Sequence, residues 1–77
     1  MKIEGLTVKL TCEAEPIQYE GILDGFPTVF RARHGKWQFG VALNPAARSE
    51  ARIVFVADAE PVFADCVKQF RASRVAA

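Results

Sequence analysis

The stretch QYEGILDGFPTVFRARHGKWQFGVAL, residues 18–43, decides the fold. It contains two turn signals, Asp24-Gly25 and His34-Gly35. Asp-Gly is a strong signal for a two-residue hairpin loop, and histidine tolerates the positive φ of such a loop better than most residues do. The stretch therefore predicts three consecutive antiparallel strands joined by two tight turns.

The two turns can be tested against each other, because each determines which residues face one another across the strands. Two-residue loops at both turns place the large side chains on one common face, whereas a three-residue loop would slip the register and put Phe30 opposite Gln38. The predicted pairs are Leu23–Phe26, Gly21–Thr28, Tyr19–Phe30, Ala32–Trp37, Phe30–Phe39, Thr28–Val41 and Phe26–Leu43. The opposite face carries Gln18, Glu20, Ile22, Val29, Arg31, Arg33, Lys36, Gln38 and Gly40.

The flanking segments extend the sheet and add a helix. Residues 5–12, GLTVKLTC, alternate as in a strand with one solvated face, with Leu6, Val8, Leu10 and Cys12 on the apolar side. Asn44 and Pro45 favour a short helical turn within residues 44–52. Residues 52–58, RIVFVAD, are typical of a fifth strand covered on both faces. Asp58 is the predicted N-cap of a helix whose apolar residues recur at helical spacing: Phe63, Cys66, Val67 and Phe70.

Together these elements predict an α+β fold, in which an antiparallel sheet of about five strands carries the C-terminal helix on its aromatic face. From the length of the chain we expect residues 1–77 to form a single domain. A chain of this length buries only about 60% of its unfolded surface. This leaves a well-packed single layer or a dimer that shares its core, and we expect the homodimer.

Composition limits the classes of function. The chain is 51% hydrophobic and 25% charged, as in a folded globular protein, and its net charge of +1 is far from that of a cationic nucleic-acid coat. Two cysteines make no disulfide scaffold, and no Cys/His set has zinc spacing. Without a signal peptide or a membrane span in the sequence, we expect a cytoplasmic protein that needs no cofactor or metal.

The basic stretch around the second turn is the candidate partner-binding surface. A single-strand binder needs aromatic rings and cations on the same surface, and the predicted fold separates them. A protein target is therefore favoured over direct nucleic-acid binding, and a solvated face without a partner is the remaining alternative. The predicted contact residues are Arg31, Arg33, His34, Lys36, Gln38 and Glu20, with Arg48 and Arg52 as an extension.

A catalytic alternative uses Glu20 and His34. A carboxylate, an imidazole and an arginine on an antiparallel sheet could cleave RNA, as in a toxin-like ribonuclease. His34 lies at a turn, however, and both cysteines fall on apolar stripes where a thiolate is disfavoured. We therefore expect no catalytic residues and no enzyme.

An apolar patch interrupts the otherwise polar face. Ile22, Pro27 and Val29 lie close together in the predicted register, with Ala42 beside them, and charged residues surround them. Such a patch is typical of a protein interface, and we interpret Ile22, Val29 and Pro27 as the homodimer contact.

In size and layout the chain resembles the anti-CRISPR proteins of phages and other mobile elements, which are small α+β domains with a compact sheet and helix, no catalytic signature and a frequent dimeric state. The resemblance covers the whole chain and transfers no individual residue. It implies an inhibitor that occupies the nucleic-acid-binding surface of a CRISPR surveillance complex. The alternative is a small nucleic-acid-binding or transcription-regulating module.

Overall fold

The computed structural model describes residues 2–13, 16–42, 44–50, 53 and 55–76, of which 44–47, 75 and 76 are described without their side chains. These ranges form one antiparallel sheet in which each strand pairs with the next along the chain, followed by a helix. The α+β fold predicted from the sequence is confirmed. The elements are β1 (Leu6–Glu13), β2 (Ile17–Leu23), β3 (Phe26–Arg33), β4 (Lys36–Val41), β5 (Asn44–Ser49) and α1 (Val56–Ala76).

Both predicted hairpin turns are two-residue loops with positive φ at each central residue. The φ angles are 50° at Asp24 and 88° at Gly25, and 52° at His34 and 74° at Gly35. This geometry matches the right-handed twist of the flanking strands. The register follows as predicted, with Tyr19 opposite Phe30 and Phe30 opposite Phe39. The predicted pair Phe26–Leu43 lies outside the described residues.

Phe63 on α1 is the centre of the core. Its ring centroid lies 5.1 Å from that of Phe30, 5.4 Å from that of Tyr19 and 5.8 Å from that of Phe39, and all four residues are buried. Contacts of this kind between rings stabilise the folded state beyond the effect of burying the same apolar area. The predicted packing of the helix on the aromatic face is thus confirmed. We call this the inner face of the sheet and the opposite one the outer face.

The fifth strand does not lie where the sequence predicted it. Asn44–Ser49, expected to be helical, forms β5 and pairs with β4, so that Pro45 lies opposite Gly40. Proline is tolerated there because β5 is the edge of the sheet. The turn into β5 includes Ala42 at a φ of 54°, and alanine carries no sequence signal for such a turn.

The β-branched run predicted as a strand leads into the helix instead. Within residues 52–58, those described are 53, which is outside any strand, and 55–58, where a bend precedes a helix beginning at Val56. Ile53 and Val56 are half-buried against the core, which accommodates their hydrophobic character without strand pairing. Asp58 is therefore in the first helical turn and is not the N-cap. The carbonyl of Phe55 accepts hydrogen bonds from the N–H groups of Asp58 and Ala59.

The first strand also departs from its predicted alternation. Leu10 pairs with Tyr19 but Cys12 pairs with Gln18, so the register shifts at Thr11. A bulge of this kind inserts one residue and changes the face on which the following residues lie. Cys12 is consequently opposite an outer-face residue and only half-buried, contrary to its predicted place on the apolar stripe.

A polar contact joins the end of α1 to the first hairpin turn. Arg71 Nε donates to Asp24 Oδ2 at 2.9 Å, and Arg71 Nη2 donates to Asp24 Oδ1 at 2.8 Å and to the Glu4 carbonyl. The Asp24 N–H donates in turn to the Gly5 carbonyl at 2.9 Å. Gly5 has a φ of 81°, and a β-carbon there would lie 2.5 Å from Arg71 Nη2. One bidentate ion pair thus connects the N-terminal turn, the β2–β3 turn and the helix.

This ion pair predicts a specific pH dependence. The hydrogen bond from Arg71 lowers the pKa of Asp24. Because the pKa of Asp24 is lowered in the folded state, the ion pair contributes fully to the free energy of unfolding at any pH above the ordinary aspartate pKa of about 3.9. That contribution is lost as the pH falls through the pKa of Asp24 in the folded protein. In Arg71→Gln, the pKa of Asp24 measured by carboxyl NMR titration should rise. Lys68→Gln, which removes an exposed charge from the same helix, should leave the titration of Asp24 as in the wild type, and an unchanged pKa in Arg71→Gln would contradict this account.

The central position of Phe63 predicts its effect on stability. Phe63→Leu should lower the free energy of unfolding in urea by about 1–3 kcal/mol, because the smaller side chain leaves space between three rings. Phe55, which is 67% exposed, provides the matched control. Phe55→Leu should change the free energy of unfolding by less than about 0.5 kcal/mol. Equal effects of the two substitutions would show that Phe63 is not central to the core.

Candidate functional site

An open groove with a volume of about 780 Å³ crosses the ends of β3, β4 and β5 beside the His34-Gly35 turn. It brings together five of the six predicted partner-binding residues. The described residues that line it are Arg31, Arg33, His34, Lys36, Trp37, Gln38, Arg48, Ser49 and Glu50.

The strand register explains why these polar side chains converge. Arg31 lies opposite Gln38, which lies opposite Arg48 on the next strand, and Arg33 lies opposite Lys36. Successive residues of a strand point to opposite faces, so the positions that alternate with buried Phe30 and Phe39 project away from the helix. The same register that forms the aromatic core therefore assembles the groove.

The groove is predominantly cationic. Arg31, Arg33, Lys36 and Arg48 line it, and Glu50 is the only carboxylate among the described lining residues. A concave surface lined by one sign of charge concentrates the electrostatic potential and attracts oppositely charged ligands. In addition, the Nε atom of Arg31 is buried and has no hydrogen-bond partner among the described residues. The arrangement is suited to binding anionic groups.

The predicted separation of aromatic rings from cations is incomplete at Trp37. This residue is opposite Ala32 on the inner face and stacks on Phe30, with ring centroids 5.7 Å apart and an angle of 26° between the planes. It is nevertheless only half-buried and lines the same groove as Arg31. Tyr19, Phe30 and Phe39 are buried as predicted. The separation is therefore complete for these three rings and incomplete for Trp37, which lies near the end of the sheet.

Glu20 is not among the residues that line the groove. It lies opposite Val29, five positions along β3 from His34, which corresponds to about 16 Å at the rise of an extended strand. His34 is exposed at the turn. The carboxylate and the imidazole of the ribonuclease hypothesis are thus at different places on the sheet.

The other potentially reactive groups in the described ranges include a buried thiol and the residue types that commonly bind metals. Burial raises the pKa of the Cys66 thiol to about 11, so it is protonated at neutral pH. No group of three or more His, Cys, Asp or Glu side chains within the described ranges could hold a metal ion. The helical part of the described chain lacks the combination of length and hydrophobicity that a bilayer span requires.

The predicted apolar patch is at the opposite end of the outer face, beside the Asp24-Gly25 turn. Ile22 is 52% exposed and lies opposite Pro27, which is also exposed, while Val29 is half-buried. Ala42 is adjacent, because its N–H donates to the Pro27 carbonyl at 2.7 Å. The cationic groove and the apolar patch therefore share one face without overlapping.

Three groove residues, Trp37, Ser49 and Glu50, were not predicted as part of the surface. Ser49 is the last residue of β5 and Glu50 follows it; both were missed because residues 44–52 were expected to contain a helical turn. Arg48 was predicted as an extension of the surface and lines the groove; Arg52, the other predicted extension, lies outside the described residues. Comparison with protein-family models, with curated proteins and with solved structures finds no match.

Proposed function

We propose that this chain is a non-enzymatic binding protein whose groove holds an acidic surface of a protein partner. The observation that carries the proposal is the convergence of Arg31, Arg33, Lys36 and Arg48 on one concave surface with a single described carboxylate, Glu50. Guanidinium groups bind carboxylates through two parallel hydrogen bonds, which gives geometric specificity as well as attraction.

The proposed partner interaction is inhibitory, as in the anti-CRISPR proteins that the chain resembles in layout. The positive charge of the groove limits which regions of a target such an inhibitor could bind. The channel that holds a guide–target duplex in a CRISPR effector is itself positively charged, and like charges across an interface are strongly unfavourable. The groove instead complements an acidic region of the target, so the proposed inhibitor acts by covering that region.

Self-association is compatible with this use of the groove. A homodimer formed through Ile22, Pro27 and Val29 would bury the exposed apolar patch. Because the patch lies at the other end of the outer face, such a dimer would present two grooves rather than cover them. Two grooves on one particle would strengthen binding to a partner with repeated acidic sites.

Nucleic-acid binding is the second candidate function, and the position of Trp37 favours it. A half-buried indole beside Arg31 could stack on a base while the cations pair with phosphates. Two observations weigh against it. One side of the indole already stacks on Phe30, and the whole chain has a net charge of only +1.

The proposed function predicts which substitutions weaken binding. Immobilised protein should capture a partner with an acidic surface, and the double variant Arg31→Gln/Arg33→Gln should weaken that capture by at least about tenfold. The control Lys2→Gln/Lys68→Gln removes the same number of charges from exposed positions outside the groove and should capture normally. Quantitative mass spectrometry of the captured proteins measures both effects.

Two outcomes would contradict the proposed function. Equal loss of capture in both double variants would attribute binding to overall charge and not to the groove. Tight binding of a generic DNA duplex, with an affinity that falls steeply between 50 and 200 mM salt, would support the nucleic-acid alternative.

A further inference from the structure

The cations of the groove are arranged in two rows. In the first row, Arg31 and Arg48 flank Gln38 across β3, β4 and β5. In the second row, Arg33 and Lys36 form a cross-strand pair nearer the turn. The rows are two residues apart along β3, which corresponds to about 7 Å at the rise of an extended strand.

This spacing matches the repeat of an extended peptide laid along the strands. Such a peptide directs every second side chain to the same side, again about 7 Å apart. Two carboxylates at positions i and i+2 would therefore face one row each. A ligand helix fits less well, because the residues that share one of its faces are three or four positions apart with β-carbons only about 5–6 Å from each other, which is shorter than the separation of the rows.

Arg31 of the first row is partly fixed by the surrounding protein. Its side chain is half-buried, and its Nε has almost no accessible surface and no hydrogen-bond partner among the described residues. A side chain that is already restricted loses less conformational entropy when a ligand binds than a fully exposed one does. Arg31 is therefore better prepared to hold a carboxylate than an exposed cation is.

We propose that the groove binds an extended acidic peptide segment of the form Asp/Glu-x-Asp/Glu, with one carboxylate held by Arg31 and Arg48 and the other by Arg33 and Lys36. This inference rests on the proposed function and specifies the chemistry of its partner. A nucleic-acid strand is less well matched, because binding successive bases requires successive stacking surfaces. Trp37 is the only Phe, Tyr or Trp among the described lining residues, and one side of its indole already stacks on Phe30.

The spacing can be tested directly with short peptides. Trp37 is the only tryptophan of the chain and lines the groove, so its fluorescence and its indole N–H NMR signal report occupancy without a label. Three blocked peptides of identical composition, with two glutamates in a Gly/Ser background spaced i,i+1, i,i+2 or i,i+4, are titrated to millimolar concentration. The i,i+2 peptide should bind at least about fivefold more tightly than the other two. A dinucleotide with two phosphates is the comparison ligand and should bind more weakly.

A charge variant tests whether the second row binds one of the two carboxylates. Arg33→Gln should reduce the affinity of the i,i+2 peptide to that of the i,i+1 peptide, because only one row remains complete. Lys68→Gln removes one charge from the exposed surface of the helix and should preserve the spacing preference.

The failures of the two proposals are distinguishable. Equal affinity of the three peptides, with Arg33→Gln weakening all of them alike, would overturn the two-row arrangement and leave the proposed acidic partner standing. Tighter binding of the i,i+4 peptide would overturn the extended conformation. Tighter binding of the dinucleotide would overturn the carboxylate ligand. Absence of binding by every ligand at millimolar concentration would overturn both proposals.

Discussion

Two consecutive turns with positive φ impose a single register on β2, β3 and β4, and the rest of the molecule depends on that register. In each turn both central residues have positive φ, at Asp24 and Gly25 and at His34 and Gly35. Because side chains alternate along a strand, a slip of one residue at either turn would exchange the two faces of the adjoining strand. A slip of β3 would expose Phe30 and bring Arg31 under the helix, and a slip of β4 would expose Phe39 and bring Gln38 there.

The helix stabilises this register over the alternatives. Phe63 contacts rings from three different strands, so all three strands must present an aromatic side chain at the same level of the sheet. The ion pair between Arg71 and Asp24 adds a polar connection between the helix and the first turn. Because the register places the aromatic rings on the inner face, the polar residues that alternate with them lie on the outer face. The groove at the His34-Gly35 end is a direct consequence of the same alternation.

Sequence patterns were sufficient where turn chemistry and alternation agree. The three central strands, the packed face and five of the six groove residues on β3, β4 and the turn between them were predicted, because Asp-Gly and His-Gly mark the turns and every aromatic side chain of this stretch then falls on one face. The turn between β4 and β5 was not predicted, since Ala42 has a positive φ there and neither position 42 nor position 43 is a glycine or an asparagine. The β-branched run that follows was predicted as a strand. In the structure Val56 begins the helix, and Ile53 and Val56 pack against the core.

The parts of the site that were missed depend on tertiary geometry. Ser49 and Glu50 reach the groove through the misassigned strand, and Trp37 reaches it because its stacking on Phe30 at the end of the sheet leaves part of the indole uncovered. Alternation specifies a face but does not specify whether a ring at the margin of that face is completely covered. Likewise, the bulge at Thr11, which moves Cys12 opposite Gln18, has no signature in the residues of β1.

The register itself can be measured in solution by cross-strand nuclear Overhauser effects in the isotopically labelled protein. The account predicts contacts between the backbone protons of Phe30 and Phe39, together with ring contacts from both to Phe63. Contacts between the backbone protons of Phe30 and Gln38 as direct partners, with the ring of Phe39 exposed to solvent, would contradict it.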